Sequence, residues 1–175
     1  MGVLGMMWAL TGFSALIVGA IYRLGLMTLD AFEIGLEWYH WPILMASIAF
    51  MAYAEGYRGF QKQFSPRFAA RVRHLRDNPR LLDVLLAPLF CMGYYYTTRR
   101  RLISIYVLTT TIVAFIIGFQ YLTQPLRGLF DAGVVIGLAW GMVSIVYYCS
   151  KALTDTDYNF SPELPLAAAS NEASA

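Results

Sequence analysis

Residues 3–22 and 102–122 contain no charged side chain. At 1.5 Å per residue, twenty helical residues cover about 30 Å, the thickness of a bilayer's hydrocarbon core. No feature of the chain constrains its fold more, because a lipid-exposed backbone must satisfy its own hydrogen bonds, and a helix does so within one segment. Residues 38–57 and 129–150 are nearly as apolar, with Glu55 and Asp131 as their only charges. Across 175 residues, 58% are hydrophobic and 14% charged, against roughly 45–50% and about 25% in soluble domains. An ordinary soluble fold and chain-wide disorder are both excluded.

The expected fold is therefore all-α: a polytopic membrane protein with a bundle of four transmembrane helices at about 3–22, 38–57, 102–122 and 129–150. Residues 1–153 make the membrane domain. Trp38, Tyr39 and Trp41 form an aromatic belt where the second span begins. A basic cytoplasmic loop, 58–80, carries seven Lys and Arg against one acid, Asp77. Within it, Ser65-Pro66 reads as an N-cap followed by proline at the first helical position. Phe68, Val72 and Leu75 then share a face, which predicts a short basic amphipathic helix over 66–76, lying on the membrane. Residues 80–98 are apolar for too short a run to cross and contain Pro88, so they read as an interfacial or re-entrant segment. Residues 154–175 are polar, with two prolines, and read as a disordered tail.

Charge placement selects among topologies. With four spans and both termini inside, the inner side holds eleven Lys and Arg and the outer side two, Arg23 and Arg127. If 80–98 also crossed, the division would be eight to five. The positive-inside bias favours four spans, cytoplasmic termini and a prokaryotic inner membrane.

Three groups of residues stand out chemically. Gly133, Gly137 and Gly141 recur every four residues, the spacing that lets helix backbones approach closely in lipid. Packing inside the chain's own bundle, against span one or three, is favoured over homodimerisation. Arg67, Arg71, Arg73, Arg76, Arg99, Arg100 and Arg101 are expected to bind anionic headgroups, at about 1 kcal/mol each when near the surface. Positive-inside placement explains this charge without nucleic acid. Tyr94, Tyr95 and Tyr96 border the last three arginines as an interfacial belt.

Glu55 lies about one turn inside the end of span two, and an ionisable residue there is a functional-site hypothesis in its own right. Arg58 follows at i+3, on the same face of an α-helix. A local ion pair at a helix end is one reading. The other makes Glu55 a proton acceptor and Arg58 an anion clamp. Cys91 and Cys149 lie in apolar stretches and form no metal-ligand pair. His40 and His74 flank span two, which holds them too far apart for one haem, so neither cofactor nor metal is expected. The chain has no phosphate-cradling loop, nucleophile elbow, zinc-protease pair or dinucleotide fingerprint. These observations point to a non-catalytic accessory or assembly subunit that binds anionic lipid and a membrane partner or a second copy. The alternative is a small transporter or membrane-embedded lipid-modifying enzyme using Glu55 and Arg58.

Overall fold

The computed structural model describes residues 1–155 and 158–164, which are predominantly helical, with no strand among them. In chain order the elements are α1 (Gly2–Ile34), α2 (His40–Met51), a π-helix (Ala52–Phe64), α3 (Ser65–Asp77), α4 (Leu81–Leu85), α5 (Ala87–Met92), α6 (Arg99–Phe119) and α7 (Leu126–Thr154). Among the described residues, three helices are long and apolar enough to cross a membrane: Gly2–Ile34, Arg99–Gln120 and Leu126–Thr154. Their length and composition are compatible with a multi-pass membrane protein.

The first of these runs twelve residues past the end expected from charge alone. Residues 23–34 contain no proline, and charged residues at a helix's polar end do not stop it. Gly35 does, at φ +95°, the left-handed geometry that favours glycine at a helix C-terminus.

The second expected span differs more. It opens as α2, twelve residues and about 18 Å long, and then widens into thirteen residues of π-helix. The backbone runs helically from His40 to Asp77 without a break. Ser65 consequently has helical dihedrals, φ −59° and ψ −42°, and its N–H bonds back five residues to Phe60 O. It is no N-cap. Pro66 lacks an N–H and would crowd the carbonyl four residues back in an ordinary α-helix. The wide turns before it let the helix continue through. The expected loop at 58–80 is accordingly helical as far as Asp77.

The chain divides into two compact units, each assembled from several stretches. Unit 1 comprises Met1–Phe13, Pro66–Ile112 and Tyr148–Ala175. Its centre is α3, whose apolar face, Phe68, Val72 and Leu75, is fully buried. Ala69, Ala70 and Arg71 are buried as well, so α3 does not lie with one face free as an interfacial helix would. Phe13 packs on Phe68 with ring centroids 4.9 Å apart. Gly5 lets α1 approach Val84 and Leu75, where an added Cβ would sit 3.0 and 3.4 Å away. The segment after Thr154 is not a free tail throughout. Tyr158 donates to Pro66 O at 2.7 Å, and Phe160 meets Tyr148 edge-on. Residues 156–157 and 165–175 of the expected tail lie outside the described residues.

Unit 2 comprises Ser14–Ser65 and Val113–Tyr147. Leu44 of α2 packs against Leu129 and Ala132 of α7, with Leu36, Ile43, Ile48 and Leu126 around them. The glycine repeat of α7 faces α2 and the π-helix, not span one or three. A Cβ on Gly133 would meet Ser47 O at 2.8 Å, one on Gly137 would meet Glu55 Oε2 at 3.2 Å, and one on Gly141 would meet the Phe60 ring at 2.5 Å.

Candidate functional site

Unit 1 gathers arginine side chains around a reversal of the chain. Helix α5 ends at Gly93, φ +87°, whose N–H bonds to Leu89 O and Phe90 O. A Cβ there would come within 2.9 Å of Ile105 Cδ1. Tyr96 is also left-handed, φ +55°, an unusual geometry for a non-glycine residue. The reversal leaves several carbonyls facing inward, and Arg71 supplies their donors. Its Nη1 donates to Phe90 O at 2.8 Å and Tyr95 O at 3.4 Å, and its Nη2 to Tyr96 O and Glu163 O at 3.3 and 3.4 Å. The guanidinium also lies over the Phe90 ring, 5.2 Å from its centroid. Arg71 is only 3% exposed, and burial pulls its pKa below the ordinary arginine value. It serves the fold and is removed from the expected headgroup-binding set.

The rest of that set divides. Arg67 Nη1 and Arg101 Nε each lie 3.7 Å from a different carboxylate oxygen of Glu163. Arg73 donates to Asp155 O at 2.9 Å, and Arg76 pairs with Asp77 at 2.8 Å. Arg99 and Arg100 are exposed at the start of α6. The three tyrosines each take a separate partner: Tyr94 shares a hydrogen bond with Thr109, Tyr95 donates to Asp83 Oδ1, and Tyr96 Oη accepts from Arg80 at 2.6 Å. Burial and the nearby Asp83 carboxylate push the Tyr95 phenol well above its usual range. Burial does the same to the Cys91 thiol, which makes it an inert packing group.

Beside the arginines lies an apolar surface. Leu81, Leu82 and Leu85 are 76%, 71% and 71% exposed, and Leu86 and Leu89 are exposed too. The Arg80–Tyr96 bond closes the chain at the two ends of this segment. Trp8 Nε1 holds it by donating to Leu85 O at 3.2 Å.

Unit 2 holds Glu55 in the π-helix. Its carboxylate faces Gly137. No hydrogen bond or ion pair reaches it among the described residues. Arg58 is exposed and does not pair with it. The reason is geometric: i→i+5 bonding puts more residues into each turn, so i and i+3 no longer share a face. The same widening aligns Gly56 and Phe60, four apart, toward Trp140 and Gly141 of α7. Near the start of α7, Asp131 is 4% exposed and pairs with Arg127 at 3.8 Å. Both histidines have local neighbours: His40 Nδ1 accepts from Glu37 N, and His74 stacks on Phe90. No cluster of three or more potential metal ligands occurs among the described residues.

Glu163 was not legible as a site residue. It is one acid in a stretch whose composition reads as tail, and only the assembled unit shows two arginines converging on it. No family model matches the chain, and neither a curated protein nor a solved structure matches it.

Proposed function

We propose that the chain is a non-catalytic accessory or assembly subunit of a prokaryotic inner membrane, one that binds anionic lipid headgroups and a membrane partner. In this reading α2 and the π-helix that continues it form a fourth crossing, and both termini lie in the cytoplasm, on the side that collects eleven of the thirteen Lys and Arg. The observation that carries the reading is the surface of unit 1 where the exposed leucines of α4 and α5 stand in sequence between Arg80 and the exposed Arg99 and Arg100. Leucines placed so enter acyl chains while guanidinium groups meet phosphates at the headgroup level. The corrected headgroup set is Arg99 and Arg100, with Arg67 and Arg101 held by Glu163.

Gentle extraction at native expression level, followed by native mass spectrometry, tests this. The expected result is a stoichiometric protein partner together with retained anionic lipid. A chain that emerges without either and turns over a substrate overturns it.

One observation favours a second reading, a small transporter or lipid-modifying enzyme. Glu55 is a carboxyl without a partner, in a π-helix, and π geometry recurs at functional sites. Arg58 drops out of that reading as an anion clamp for Glu55. In proteoliposomes, proton uptake by the native chain that Glu55→Gln abolishes would support it. Equal uptake by both would remove it.

A further inference from the structure

The headgroup reading treats Arg67 and Arg101 as two more cations on a basic surface, yet they are not free. Both point at one carboxylate from the chain's own C-terminal segment. The fit is loose. At 3.7 Å, neither contact reaches the 2.7–2.9 Å of a charge-assisted hydrogen bond. Arg71 and the hydroxyl of Thr97 approach the same residue, but they meet its backbone carbonyl, at 3.4 and 3.3 Å. Glu163 itself has φ +52°, a conformation that non-glycine residues adopt at a cost. Two guanidinium groups thus face a single negative charge, while a third and a hydroxyl hold the backbone of the same residue.

Resting on the headgroup reading of unit 1, we propose that Arg67, Arg101 and Thr97 form a phosphate-binding cradle, with the buried Arg71 holding its backbone, and that Glu163 occupies it as an internal stand-in which the ligand displaces. The chemistry fits a phosphoryl group better than a carboxylate. A guanidinium offers a planar fork that matches two oxygens of a phosphate. A tetrahedral phosphate has oxygens enough for several donors at once, whereas each Glu163 oxygen meets one arginine at long range. Access is open: the Arg67 and Arg101 side chains are 25% and 24% exposed and that of Glu163 36%. Departure of Glu163 relieves its left-handed backbone. It need not free the whole segment, because Tyr158 remains bonded to Pro66 O and Phe160 remains packed on Tyr148. Residues 158–164 then act as a tethered cover over the cradle.

The phosphoryl group can belong to a lipid headgroup or to a soluble phosphate. The test uses the full chain in nanodiscs of neutral phosphatidylcholine, titrated with phosphatidylglycerol in one arm and inorganic phosphate in the other. Native mass spectrometry reads occupancy, and hydrogen exchange reads residues 158–164. Removing a competitor held by two partly exposed ion pairs should tighten binding about threefold to tenfold in Glu163→Gln. Arg67→Gln should weaken it, and ligand should speed exchange at 158–164 in the native chain. Phosphatidylglycerol giving these effects supports a lipid source. Inorganic phosphate alone giving them supports the cradle and overturns the lipid source. If Glu163→Gln binds no more tightly while the native chain still retains phosphatidylglycerol, the stand-in is wrong and the headgroup reading survives on Arg99 and Arg100. If the native chain retains no anionic lipid and no phosphate, both fall.

Discussion

In unit 1 the buried Arg71 directs its two terminal nitrogens at four backbone carbonyls, and Asp83, also buried, accepts from Tyr95. Unit 2 is built differently. Ser47 Oγ and Ser65 Oγ are buried without a hydrogen-bond partner among the described residues, Arg127 Nε and Asp131 Oδ2 face each other at 3.8 Å, too far for a hydrogen bond, and the Glu55 carboxylate has no hydrogen bond. All five groups belong to unit 2. Unpaired polar groups are expensive in a low-dielectric interior, so native folds pair them or use them. The contrast separates two kinds of charge. In unit 1 charge completes the architecture. In unit 2 open hydrogen-bonding capacity is where a proton, a water or a partner's side chain can engage.

The sharpest way to break that contrast is to remove Arg71. Arg71→Met keeps the apolar stem but leaves the carbonyls of Tyr95 and Tyr96 without their donor, and those of Phe90 and Glu163 with only Gly93 N–H and the Thr97 hydroxyl. An unpaired buried acceptor costs about 1–3 kcal/mol, so two of them predict a loss of at least about 2 kcal/mol in denaturant unfolding in micelles. Arg71→Lys should restore little, because an ammonium cannot span carbonyls placed for a fork. A Met variant within about 1 kcal/mol of the native chain would show that Arg71 is not the organising group of unit 1.

A smaller effect tests how unit 2 holds Glu55. Gly133→Ala drives a methyl against the Ser47 backbone, 2.8 Å from its carbonyl oxygen, and backbone has little room to yield. Overpacking of this kind costs about 1–3 kcal/mol. Gly141→Ala meets the Phe60 ring, so a second substitution, Phe60→Leu, should recover part of its loss. Gly137→Ala, with contacts of 3.2 to 3.3 Å, should lose least of the three. Gly19 has nothing within 4 Å. Its alanine variant should be neutral or gain up to about 1 kcal/mol from helix propensity. If Gly19→Ala destabilises as much as Gly133→Ala, close packing of α7 on α2 does not support the unit.

These substitutions also mark what the sequence could and could not reveal. The long apolar helices were legible because burial in lipid demands length and absence of charge, and both can be read directly. The glycine repeat announced close packing without naming its partner, because small residues permit approach to any neighbour. The face formed by Phe68, Val72 and Leu75 was visible as a period. That Ala69 and Ala70 leave room to cover another face of α3 was not, because periodicity records one apolar face and is silent on what covers the rest. Hydropathy over 38–57 does not distinguish bonding to i−4 from bonding to i−5. The Glu55–Arg58 pair therefore followed from an α-helical assumption that the π-helix removes. Glu163 was hidden for a different reason: its partners, Arg67 and Arg101, lie 96 and 62 residues away in sequence, and no local pattern links them.

The smallest stability effect is expected at Glu55, and it is the most informative about unit 2. A carboxylate that makes no ion pair or hydrogen bond has nothing to lose when its charge is removed. Glu55→Gln keeps the shape and takes away the cost of holding an unpaired charge away from water. Its unfolding free energy should stay within about 0.5 kcal/mol of the native chain or rise slightly. That is opposite in sign to Arg71→Met, although both replace a charged helical residue. A loss above about 1 kcal/mol would mean that Glu55 is paired after all, by a bound cation or a partner chain. Its place would then be with Arg71, as architecture. If stability is unchanged while proton uptake is lost, the open carboxyl is kept for its chemistry, and the π-helix is what holds it apart from Arg58.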